Sequence, residues 1–115
     1  KAAEQGLPAA QYDYAVMLLQ GRGLLADENK AISYLTAAAE NGVPGAQNRL
    51  GHVYVEGAGV EANPIEAAKW RLIAKGNGVV DDKLDLFVAA LTDADRAKAQ
   101  AAANDWREKK QLVAH

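Results

Sequence analysis

The chain has 115 residues, half of them apolar, and 13 Lys and Arg against 15 Asp and Glu give a formal net charge of −2. That length supports one domain with a real core, and the dispersed, balanced charge argues against a nucleic-acid footprint or a polybasic membrane anchor. The absence of cysteine excludes disulfides, thiolate metal sites and thiol nucleophiles, and no apolar run approaches the roughly 18 residues that span a bilayer.

Pro8 opens the first predicted helix, because a first-turn residue has no helical partner for its N–H, and Ala10, Tyr14, Met17 and Leu18 return on one face at helical spacing. The helix ends near Gln20 at Gly21-Arg22-Gly23, where glycine supplies the left-handed backbone that closes a helix. Asp27 then stands as the cap of a second helix. Its inward stripe is Ala31, Tyr34, Leu35 and Ala38, and Asn41-Gly42 ends it.

Pro44 starts the same series of devices again. Ala46, Leu50, Val53 and Tyr54 form the stripe, Gly57-Ala58-Gly59 the turn, Asn63-Pro64 a cap with a first-turn proline, and Ala67, Trp70, Ile73 and Ala74 the second stripe, with Gly78 at its end. Ala10-Gln11, Gly21, Gly23, Asp27, Ala31 and Tyr34 reappear as Ala46-Gln47, Gly57, Gly59, Asn63, Ala67 and Trp70, always 36 positions later. About a third of the aligned positions are identical, and a fixed period of this length marks a helical solenoid, in which each unit buries its apolar face on its neighbours. Ala3-Glu4 and Gly6 match Ala39-Glu40 and Gly42, so residues 1–7 read as the end of a copy whose beginning is missing.

Beyond Gly78 the period is no longer read. Leu84, Phe87, Val88 and Leu91 mark a short helix, and Thr92 with Asp95 resembles a capping box in which aspartate replaces glutamate. A last helix turns Ala99, Ala102, Ala103 and Trp106 inward and Asp93, Asp95, Lys98, Asp105, Arg107 and Lys109 outward, as a terminal cap requires. Asp81, Asp82 and Asp85 read as helix-start acids favoured by the helix dipole, since the calcium-loop pattern lacks its central glycine and terminal glutamate. The expected organisation is one all-α repeat domain of antiparallel helix pairs: 1–7 the end of a truncated upstream repeat, 8–43 and 44–79 full repeats, 80–110 a degenerate repeat with its capping helix, and 111–115 a frayed tail.

Ala46, Gln47, Leu50, Gly51, Tyr54, Gly57, Gly59, Val60, Asn63, Glu66, Ala67, Trp70 and Ala74 together resemble the SEL-one-like repeat, a relative of the tetratricopeptide repeat. The first copy carries the matching set with Ala15, Leu18 and Leu24 as conservative departures. The resemblance implies a right-handed superhelical α/α solenoid that serves as an adaptor or scaffold for other proteins, common in bacterial envelope, signalling and secretion systems. It implies no enzymatic activity in the repeat itself, and no cofactor.

On that reading the first helix of each pair lines a concave face. Residues there that miss the apolar stripe are candidates for partner contact, namely Tyr12, Val16, Leu19 and Gln20, then Asn48, His52, Val55 and Glu56, with Tyr12, Val16, Asn48, His52 and Glu56 the chosen set. Tyr12 with Asn48 and Val16 with His52 hold equivalent places, so they lie side by side along the groove, with Tyr12, Asn48 and His52 expected to be exposed. The plainer alternative is that Val16, Leu19 and Val55 only pack against the next repeat. A carboxylate clamp needs Lys, Arg or Asn at these positions and finds only Asn48, so a mixed polar and aromatic groove for a protein or peptide segment fits better. His52 and His115 have no ligand partners at metal spacing, and the Gly-x-Gly runs follow no strand, which excludes a dinucleotide fingerprint. The turns and caps Gly21, Gly23, Asp27, Gly42, Gly57, Gly59, Asn63 and Gly78 are structural. The alternative function is self-association or assembly through the ends or outer face, since Ala2, Ala3 and Leu7 would form an apolar N-terminal edge.

Overall fold

The computed structural model describes residues 8–19, 28–57 and 60–114, and within them the chain forms helices and no strand. In order these are α1 Pro8–Leu19, α2 Glu28–Glu40, α3 Pro44–Glu56, α4 Pro64–Gly76, α5 Asp82–Ala89 and α6 Asp93–Ala114. The expectations placed on Gln20, Gly21, Gly23, Asp27, Gly59 and residues 1–7 lie outside the described residues.

The punctuation works through backbone geometry. Gly42 and Gly78 adopt φ of +90° and +92°, and each ends its helix with a matched pair of bonds. Gly42 N donates to Ala39 O and Val43 N to Ala38 O, while Gly78 N donates to Lys75 O and Val79 N to Ala74 O, all at 3.0–3.1 Å. This satisfies carbonyls that the last helical turn leaves free. Gly57 takes φ +70° at the end of α3, and the Asn63 side chain accepts a bond from Glu66 N to cap α4.

Packing follows the repeat. α1 lies on α2, α2 on α3 and α3 on α4, so each element is sequestered by its chain neighbours. Alanines at 31, 38, 46, 67 and 74 are fully buried and let helices approach, while Leu35, Leu50, Trp70 and Ile73 fill the spaces left. Gln47 pins three elements together from the core. Its Nε2 donates to Ala39 O at the end of α2, and its Oε1 accepts from Asn77 in the turn after α4, at 3.1 and 3.0 Å. The equivalent pair in the first copy is not made: Asn41 donates to Ala37 O instead, and Gln11 Oε1 is buried without a partner.

Two sequence expectations for the C-terminal part are corrected. The 36-residue interval is not lost after Gly78, because Ala31, Ala67 and Ala103 are all fully buried and Tyr34, Trp70 and Trp106 all sit at or against the core. What changed is how the interval is spent: α5 has 8 residues where α3 has 13, no Gly-x-Gly turn follows it, and α6 starts early and runs for 22. Freed from a full-length partner helix, α6 packs along α4. The Trp106 ring meets Trp70 edge-on, with centroids 5.7 Å apart, and its Nε1 donates to Glu40 at 2.7 Å. The tail expected to fray from Gln111 instead continues α6 to Ala114. That stretch contains neither Gly nor Pro and follows good helix formers, with Lys109 paired one turn back to Asp105 at 3.0 Å. At the start of α6, Thr92 Oγ1 accepts from Asp95 N at 3.1 Å as the capping pattern predicts.

Candidate functional site

Helical spacing puts Asn48 and His52 one turn apart on the same face of α3. Asp81 and Asp85 have the same spacing at the start of α5, and the two pairs meet. Asn48 Nδ2 and His52 Nε2 each lie 2.7 Å from Asp81 Oδ2, so with an ionised carboxylate as acceptor the imidazole carries its proton on Nε2. Asp81 Oδ1 accepts from Leu84 N at 3.0 Å, which makes the same residue the cap of α5. From α4, Arg71 grips Asp85 with two nitrogens, Nε at 2.8 Å and Nη2 at 3.3 Å, and its Nη1 donates to Asn48 Oδ1 at 2.8 Å. Lys75 Nζ stands 3.9 Å from Asp85.

The network runs unbroken from His52 through Asp81, Asn48 and Arg71 to Asp85. Its centre is Arg71, whose side chain is 1 % exposed, whereas Asp81 is 14 % and His52 34 % exposed at the rim. Burial pushes the Asp81 carboxyl up, but the bonds from Leu84 N, Asn48 and His52 outweigh it and hold it at about 2. The bidentate Arg71 lowers Asp85 as well, against a smaller opposing effect of burial. Both carboxylates therefore remain acceptors through the neutral range. Below the polar network Leu84 is sealed against α3: a Cβ added at Gly51 would lie 3.2 Å from Leu84 Cδ1. Glycine there opens the slot that the leucine fills.

The sequence-predicted candidates are distributed unevenly around this junction. Asn48 and His52 are brought together by Asp81, so the expectation that they project freely into a groove is corrected: they are half-buried and their polar atoms face the start of α5. Tyr12 is also half-buried and reaches the corresponding place one repeat earlier, since a Cβ at Gly45 would lie 2.9 Å from its hydroxyl. Gly45 and Asp81 are 36 positions apart, as are Tyr12 and Asn48. Val16 is half-buried on α1, and Glu56 is exposed at the end of α3. Asp81 and Asp85 stand at the start of α5 as the sequence predicts, but Arg71 and the bonds that the two acids make to α3 and α4 were not anticipated. The signal was an arginine at the position where the first copy has Leu35, which is fully buried.

His52 and Asp81 form the pair that a general base would need, yet among the described residues no hydroxyl is bonded to the imidazole. Nor do three His, Cys, Asp or Glu side chains converge there as metal ligands would. What the arrangement does is hold two carboxylates of a short helix against donors fixed on two longer ones.

A family model described as the Sel1 repeat matches residues 8–43 and 44–74, more than half of the chain. The chain belongs to the Sel1 repeat family. Among solved structures this Sel1 repeat chain is similar to a protective antigen of uropathogenic Escherichia coli displaying an SLR fold, with 31% identity and a TM-score of 0.79. The likeness covers 94% of this chain and 24% of that one. A Sel1 repeat protein from Oxalobacter formigenes is similar at 25% identity and a TM-score of 0.70, over 94% of this chain and 46% of that one. The chain thus spans less than half the length of either relative. No curated protein matches it. The fold is accordingly an all-helical Sel1 solenoid, and Sel1 repeats are in general protein-interaction modules, typically non-catalytic scaffolds.

Proposed function

We propose that this Sel1 array is a non-catalytic adaptor that binds a segment of a partner protein along the face formed by α1 and α3, with Tyr12, Val16, Asn48, His52 and Glu56 as contacts. One observation supports this above the others. Gln11 and Gln47, identical in the two copies, are buried, whereas Tyr12 with Asn48 and Val16 with His52, which differ between the copies, are only half-buried. A scaffold keeps its joints constant and varies what it shows to partners.

Affinity purification with the unaltered chain and with Tyr12→Ala and His52→Ala variants tests the reading. Loss of a common set of partners from both variants, with helical content retained by circular dichroism, is the expected result. An unchanged partner set on folded variants would move the binding surface elsewhere.

A further inference from the structure

We propose that Asn48, His52 and Arg71, with the slot over Gly51, recognise an acidic helical segment of a partner with the pattern Asp-x-x-Leu-Asp, and that α5 occupies this site in cis as a stand-in. The inference rests on the concave-face reading above and supplies the chemistry of the segment bound.

The site is not a requirement of the repeat joint. In the first copy the equivalent places hold Tyr12, Val16 and Leu35, with Gly45 where Asp81 would be, and α2 packs on α3 more extensively than α4 does on α5. The second copy has placed polar donors at all three positions and a guanidinium in the core. A buried arginine is costly unless a carboxylate meets it, so these donors demand an acidic occupant. They also fix its geometry: two carboxylates one helical turn apart, bridged to Asn48 and His52 at one end and Arg71 at the other, with a leucine between them for the Gly51 slot.

The present occupant is weakly held by apolar contact. Of its side chains only Leu84 is sealed, while Leu86 and the preceding Val80 are 73% and 84% exposed. Eight residues are too few for a helix to persist undocked, since isolated helices shorter than roughly 12–15 residues are marginal in water. Phe87 and Val88 are half-buried, so what places α5 at this site is the charge pairing together with Leu84, and a second acidic segment with a leucine can reproduce both. Tethering gives α5 an effective concentration on the order of millimolar, so in the intact chain the site is largely shut and a partner must displace α5.

A labelled synthetic peptide of residues 79–91 serves as the probe, titrated by fluorescence anisotropy with the full chain. Variants Asp81→Asn/Asp85→Asn and, separately, Leu84→Ala weaken the claim of α5 on its own site, the second without touching any charge. Both are expected to bind the peptide about tenfold more tightly than the unaltered chain, and a peptide with Asn at both acidic positions to lose about tenfold. Variants that remain helical yet bind no more tightly than the unaltered chain would overturn the proposal, as would equal binding of the Asn-substituted peptide. If that happens while Tyr12→Ala still loses partners, the cis-occupied site is wrong and the concave-face reading stands.

Discussion

At position 71 one residue type replaces another at the most buried point of the repeat: Leu35 and Arg71 are both sealed, 36 positions apart. The leucine contributes by burial, about 1.5–3 kcal/mol for a side chain of that size, while the arginine contributes only if its partners remain. Arg71→Leu restores the first copy's residue but leaves Asp85 and Asn48 Oδ1 without their donor, and we expect it to lower stability by about 2 kcal/mol, with water at the one-third-exposed Asp85 limiting the loss. Arg71→Leu/Asp85→Ala removes both charges and should recover at least half of that loss, a coupling that urea midpoints at constant m-value measure directly. Additive effects would mean that Asp85 does not compensate the guanidinium. The same position shows how far the site was legible beforehand. Asn48 and His52 stood out because they vary within matched helices, and the 36-residue shift puts Arg71 in the buried place of Leu35, but the carboxylate that meets it lies on α5, for which the repeat comparison supplies no partner.

Helix boundaries were legible where proline or a left-handed glycine marks them, and the glycines separate into two physical cases. Gly57 sits at φ +70° with Ala62 N and Cβ each 3.3 Å from where a Cβ would stand, whereas Gly42 at φ +90° has nothing within 4 Å. Gly42→Ala should therefore cost only the backbone penalty, about 1 kcal/mol, while Gly57→Val adds crowding and β-branch strain and should cost about 2–3 kcal/mol. Thermal midpoints in that order test the distinction, and equal midpoints would show that the loop after α3 yields to the added side chain. Where such marks are absent the reading weakened. No glycine separates α5 from α6, so the sequence obscured a register that Ala103 and Trp106 in fact preserve. Likewise no glycine or proline marks the end of α6, and the helix runs on past Gln111 to Ala114 behind Lys109 and other good helix formers.

Over the whole molecule, a repeat array is held by contacts between neighbours, and this one adds a tie that skips a repeat. Trp106 on α6 touches Trp70 on α4 and, across 66 residues of sequence, donates to Glu40 at the end of α2. Such a link makes α6 and both repeats unfold as one, where a linear stack could lose one unit separately. Trp106→Phe keeps a ring against Trp70 and gives up the bond to an exposed carboxylate, so it should cost about 1 kcal/mol. Trp106→Ala removes the ring too and should cost about 3 kcal/mol, near the low end for a large aromatic because the side chain is only partly buried. The chain has two tryptophans, so in either variant Trp70 alone reports by fluorescence on the α4–α6 contact. In the unaltered chain the urea transitions followed by fluorescence and by far-ultraviolet circular dichroism should coincide. In Trp106→Ala the fluorescence transition should come first, as α6 leaves α4 while α1–α3 remain helical. Coincident transitions in that variant would show that the buried alanines of α6, Ala99 and Ala103, keep that helix coupled without the tryptophan.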